Sequence, residues 1–211
     1  MSYKSKNALM IFSCLSAMPL AILLNTVIVG RLIPKAEDDY VTLIYYTILF
    51  VIAISLYYRV IVDDYYKEKD FFHFCLKSII IAVIILALNV LSSFAFHCFW
   101  PSISSLNEES ILNMQIVPHI FLPVFAGPVV EEIVFRYILQ RWLEKTMGKH
   151  GQWLSIYITG LIFSFFHSGF ALDILVYIVP SIFICWAYKR TDNLSMMIFA
   201  HMINNFLATV L

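Results

Sequence analysis

The chain has 211 residues, of which 61% are apolar and 13% charged. That balance supplies too little polar surface for an ordinary soluble domain. Fourteen Lys and Arg stand against fourteen Asp and Glu, so no net charge draws in nucleic acid and no nucleic-acid partner is expected.

In lipid the backbone must bond to itself, so long apolar stretches read as helices. No repeated ten-residue alternation suggests a barrel. The expected fold class is therefore all-α: a polytopic transmembrane helical bundle of about seven spans with a broken fourth segment. Residues 1–211 form one transmembrane domain in this reading, with residues 1–110 as N-terminal spans that carry no motif. The first apolar stretch, residues 8–29, is too long for a signal h-region and lacks an A-x-A cleavage site, so it reads as a retained helix. Residues 40–58 and 79–96 follow, each close to the roughly 20 residues a crossing needs. Residues 111–145 contain Pro118, Pro123 and Gly127-Pro128, which predicts a break near Gly127 and a new helix from Pro128. Shorter apolar segments close the chain at residues 153–167, 174–188 and 196–211. The cysteines, Cys14, Cys75, Cys98 and Cys185, form no C-x-x-C pair and read as small buried hydrophobes without a disulfide.

Lys and Arg between the spans report orientation. Lys4 and Lys6, the group Arg59, Lys67, Lys69 and Lys77, the group Arg141, Lys145 and Lys149, and the pair Lys189 and Arg190 share one side if seven spans start inside. Residues 98–110 and 168–173 hold no Lys or Arg, while Arg31 and Lys35 dissent. The expected location is the cell membrane, multi-pass, with the N-terminus cytoplasmic.

Polar side chains inside spans are costly unless paired, which makes them functional candidates. Glu132 and Arg136 are four apart and share a helical face, so the arginine can neutralise that carboxylate. Glu131 points about 100° away round the axis and stays available for proton transfer. His167 closes the fifth span, and His201 and Asn205, four apart, point one way in the last. Measured from the expected inner face, Glu131, His201 and His167 lie about 21, 16 and 24 Å deep at 1.5 Å per residue, depths that overlap. The structural readings stand beside these: an ion pair bracing the bundle, and a helix-end imidazole at an interface. His73, His97, His119 and His150 sit at span edges or in loops, and Asn25 and Asn89 read as helix–helix contacts.

A carboxylate, two imidazoles and an amide at one depth allow two chemistries. Glu131 can take a proton from water that His167 orients, with His201 and Asn205 donating to the oxyanion. Alternatively Glu131, His167 and His201 ligate zinc, which acidifies its bound water. The chain has no H-E-x-x-H, and metal-free activation is the preferred expectation, with zinc left open.

The order Glu131-Glu132-x-x-x-Arg136, Phe163-x-x-x-His167 and His201-x-x-x-Asn205, with Tyr188-Lys-Arg-Thr191 ahead of the last motif, resembles the CAAX prenyl endopeptidase and bacteriocin-processing superfamily, the Abi family. The likeness covers residues 123–206, and no motif residue departs from the pattern. It implies an intramembrane endopeptidase: Glu131 as general base, His167 on the water, His201 and Asn205 at the oxyanion, Glu132 and Arg136 in support. The implied partners are a lipid bilayer and a peptide or membrane-protein substrate, in bacteriocin self-immunity, peptide maturation or signalling. A prenylated CAAX substrate and a non-catalytic immunity or scaffold protein are the alternatives.

Overall fold

The computed structural model describes residues 70–100, 122–148, 151–168, 172 and 174–210, with scattered positions between 44 and 64. The expected first span, residues 8–29, lies outside the described residues. The second, residues 40–58, is described only at single positions, which are helical. Among the described residues every element is a helix.

Helix α1 runs over Phe71–Phe99. It starts earlier than expected because Asp70 caps it: Oδ1 accepts from the Phe72 amide at 2.9 Å, and Oδ2 meets His73 Nδ1 at 2.6 Å. The His73 contact, helped by the Phe72 amide, holds the Asp70 carboxyl below its ordinary pKa. Lys77, expected in a loop, therefore lies in α1 on its exposed face, where a long stem lets the ammonium reach a polar layer. Twenty-nine residues extend about 43 Å, more than a bilayer core requires. Val83, Val90, Leu91 and Phe94 are each more than half exposed. A long helix that turns so many apolar side chains outward suits hydrocarbon, whereas in water they would be a large exposed patch.

The next segment is helical from Leu122 to Thr146 but changes register three times. A π-helical turn, π1 (Leu122–Ala126), passes into α2 (Gly127–Glu131), then π2 (Glu132–Gln140), then α3 (Arg141–Thr146). The break expected at Gly127 is not a break in the helix: Ala126 keeps φ −72° and ψ −44°. The disturbance is absorbed as a change of register, with Pro128 in the first turn of α2. Gly148, at φ 62°, stands just past the Met147 C-cap, and a left-handed residue there closes the helix.

Helices α4 (Gly151–Ser168), α5 (Ile174–Thr191) and α6 (Leu194–Val210) complete the bundle. Their bounds lie within a few residues of those expected, although residues 188–191 form the last turn of α5 and not a loop. α5 packs on α4 and α1, and α6 on α1. A Cβ at Gly160 of α4 would come within 3.1 Å of the Ile182 backbone in α5, so only glycine permits that approach. Asn193 caps α6, its Oδ1 accepting from the Met196 amide at 2.9 Å. Asp64, 2% exposed, completes that cap: its Oδ2 accepts from the Leu194 amide at 2.8 Å and its carbonyl from Asn193 Nδ2 at 2.6 Å.

Among the described residues two helices, α1 and α5, are long and apolar enough to cross a bilayer, and Leu194–Thr209 is a shorter apolar helix. The described residues therefore do not display seven spans. The segment from Leu122 is divided into elements of at most nine residues, and it and helix α4 carry the polar side chains of the centre, among them Glu132, Arg136, Gln140, Ser155, Thr159 and Ser164, all buried. Cys75, Cys98 and Cys185 are free; Cys185 is buried, while Cys98 is exposed near the end of α1, contrary to the buried reading.

Candidate active site

Glu131 ends α2 and Glu132 begins π2, so the register changes between two adjacent carboxylates. Short π-helical stretches occur frequently at functional sites, and their wider turn narrows the angle between successive side chains. The consequence is visible at His201. Its Nδ1 lies 2.8 Å from Glu132 Oε1 and its Nε2 lies 3.8 Å from Glu131 Oε2. Glu131 and Glu132 thus flank one imidazole, where the sequence placed them on different faces with separate tasks.

Glu132 and Arg136 are both fully buried, with Nε 3.2 Å from Oε2. The contact has ion-pair distance without hydrogen-bond alignment, and Arg136 Nη1 and Nη2 have no hydrogen-bond partner among the described residues. The guanidinium instead lies over Phe163, 4.2 Å from the ring centroid, a cation–π arrangement. Phe163 also stacks on the ring of His167 at 4.2 Å and 27°. One phenyl ring therefore touches the buried cation and fixes the plane of an imidazole.

His167 uses Nδ1 to reach the Phe163 carbonyl at 3.0 Å. A carbonyl only accepts, so Nδ1 carries the proton and Nε2 is left to face Glu131 Oε2 at 3.8 Å. Two ring nitrogens from different helices thus converge on one buried oxygen, itself without a hydrogen-bond partner among the described residues. Separations of 3.8 Å exceed a direct hydrogen bond, and a water seated beside the three atoms can reach all of them.

Asn205 lies one turn beyond His201, and its Nδ2 donates to the Pro123 carbonyl at 2.7 Å. The structure therefore brings Glu131, Glu132, Arg136, His167 and His201 into one cluster. No direct contact joins Asn205 to these side chains among the bonds of the described residues. Sequence reasoning missed the Glu132–His201 bond and the clamp formed by Phe163. It also missed Asn204, although Asn204 stands three residues from His201, on the neighbouring helical row.

Neutral imidazole nitrogens and a carboxylate oxygen suit zinc by donor type, and both Nδ1 atoms hold oxygen acceptors as the supporting shell of a metal would require. Among the described residues, however, no three His, Cys, Asp or Glu side chains have the arrangement of a metal centre.

Residues 113–207 match the family model described as Type II CAAX prenyl endopeptidase Rce1-like. Over that stretch, less than half of its length, the chain is similar to the Rce1-like family. It is a family of membrane proteases, and its match contains every member of the cluster as well as Asn204 and Asn205. The Rce1-like stretch begins ten residues before the likeness seen in the motifs, at 113 in place of 123. UPF0177 protein YaiF of Lactococcus lactis subsp. lactis (strain IL1403) is 31% identical over 108 residues, 51% of this chain and 47% of YaiF. The chain thus matches about half the length of that curated relative. No solved structure matches the chain.

Proposed function

We propose that the chain is an intramembrane endopeptidase that hydrolyses a peptide bond of a membrane-associated peptide or protein. The observation that carries this reading is the convergence of His167 Nε2 and His201 Nε2 on Glu131 Oε2, each at 3.8 Å. A water held among these atoms gives a proton to Glu131 as its oxygen attacks the scissile carbonyl. His167 orients that water through its bare Nε2. The carbonyl oxygen becomes the oxyanion, which accepts from Asn205 and from His201. With Nδ1 committed to Glu132, His201 donates from Nε2 only as the imidazolium. Glu131 then returns the proton to the departing amide nitrogen, the C–N bond breaks, and the carboxylate is restored. Glu132, Arg136 and Phe163 support the two imidazoles.

If zinc binds, Glu131, His167 and His201 would hold it, and it would supply an acidified water. Two outcomes decide between these readings. Purified protein in vesicles is expected to cleave an internally quenched apolar peptide while elemental analysis finds far less than one zinc per chain. Stoichiometric zinc that disappears in His167→Ala and His201→Ala would make the histidines ligands. No cleavage of any such peptide would favour the scaffold or immunity-by-binding role.

The family description favours a second reading for the substrate, a prenylated C-terminal peptide. Farnesylated and unmodified versions of one quenched peptide distinguish it from a role in bacteriocin self-immunity, peptide maturation or signalling.

The same proposal places the chain in the cell membrane as a multi-pass protein with its N-terminus in the cytoplasm. In a cysteine-free background, Gln152→Cys, exposed in α4, is expected to react with an impermeant maleimide only after the cells are opened. Ser104→Cys should react in intact cells. Labelling of both from one side would overturn the seven-span arrangement.

A further inference from the structure

The amide of Asn205 is held at both ends. Nδ2 donates to the Pro123 carbonyl at 2.7 Å, and Oδ1 accepts from Asn204 Nδ2 at 3.0 Å. Asn204, 5% exposed, accepts in turn at Oδ1 from Asn89 Nδ2 of α1, 3.5 Å away. This chain of amides has one direction. A carbonyl only accepts, so the nitrogen of Asn205 must face Pro123 and its oxygen must face Asn204. That choice then fixes the Asn204 amide, and Asn204 fixes Asn89.

The origin of the chain is a carbonyl inside a helical segment, where carbonyls are ordinarily taken by the backbone. Pro123 lies in π1. In the i→i+5 register the donor for its carbonyl is residue 128. Residue 128 is a proline and has no N–H to give. The register and the second proline together release the Pro123 oxygen to a side chain from α6.

We propose that Pro128 and Asn204 are positioning residues for Asn205. Pro128 keeps the Pro123 carbonyl open to Asn205 Nδ2, and Asn204 holds the other end of that amide against rotation. One Nδ2 hydrogen is anchored on Pro123, and the second is aimed along a fixed direction. This rests on the peptidase reading only in that the aimed hydrogen is the one the oxyanion meets.

The test has two readouts. In protein labelled with 15N-asparagine in detergent micelles, the Asn205 side-chain amide is assigned by its loss in Asn205→Asp. Pro128→Ala restores a backbone donor that competes for the Pro123 carbonyl, and Asn204→Asp replaces a donor with an acceptor. Each is expected to speed solvent exchange of the Asn205 amide hydrogens by about tenfold or more. With the quenched peptide, each should lower kcat by about tenfold or more at unchanged KM, without a fall in unfolding temperature for Pro128→Ala. A proline of purely structural use would lose kcat and unfolding temperature together, and that result overturns the proposal. Unchanged exchange in both variants overturns it as well, whether or not peptide is cleaved. Faster exchange in a protein whose wild type cleaves nothing upholds the amide chain and counts against the peptidase reading instead.

Discussion

Glu131→Gln is expected to lower peptide hydrolysis by about 100- to 10,000-fold, the range that a positioned general base contributes, while the protein inserts and folds normally. Glutamine keeps the size of glutamate and can still hydrogen-bond the water between His167 and His201, but it cannot take the proton from it. Stability should change little because Glu131 is 21% exposed and makes no direct hydrogen bond through Oε2. Turnover of the quenched peptide, with unfolding temperature in detergent as the control, checks this. Full turnover in Glu131→Gln would assign the water chemistry to another group, and with it would go the roles given to the two imidazoles.

Glu132→Gln should fail differently. Glu132 and Arg136 are both 0% exposed, so the carboxylate is what neutralises a guanidinium with no route to solvent. Removing one partner of a buried pair costs about 3–5 kcal/mol, because the remaining charge is left uncompensated. The amide can still accept from His201 Nδ1, so the geometry of the imidazole is less affected than the charge balance. The expected result is a large fall in unfolding temperature and in accumulated protein, ahead of any change per folded molecule. The double variant Glu132→Gln with Arg136→Met removes both charges and should recover most of the stability without recovering activity. An unchanged unfolding temperature in Glu132→Gln would show that Arg136 draws its compensation from elsewhere.

The parts of this fold that the sequence disclosed are those set by local pattern. Long apolar runs located α4, α5 and α6 within a few residues, even with Pro180 inside α5, since length and hydropathy decide those helices. The residues of the site were also legible as types, because a charge or imidazole among apolar neighbours stands out. Their contacts were not. Assigning Glu131 and Glu132 to different faces assumed an ideal 3.6-residue period, whereas a π stretch begins at Glu132 and holds the buried Arg136 that lies against Phe163. Pro123 and Gly127-Pro128 read as a break because proline weakens a helix. Nothing in the local pattern says that a change of register can absorb the missing donor. Asp64 was invisible for another reason: it lies about 130 residues from the helix end it caps, a distance over which residue spacing carries no information.

The glycine at position 160 brings α4 so close to Ile182, its side chain and backbone alike, that α4 contributes no side chain of its own at that point. Such a contact yields only if dispersion contacts along the facing surfaces are given up together. Helices α4 and α5 therefore travel as one stiff body, and His167 travels with them. A hydrophobic guest diffusing in the plane of the bilayer meets a closed seam on that flank, and its approach to Glu131 has to come from another side of the bundle.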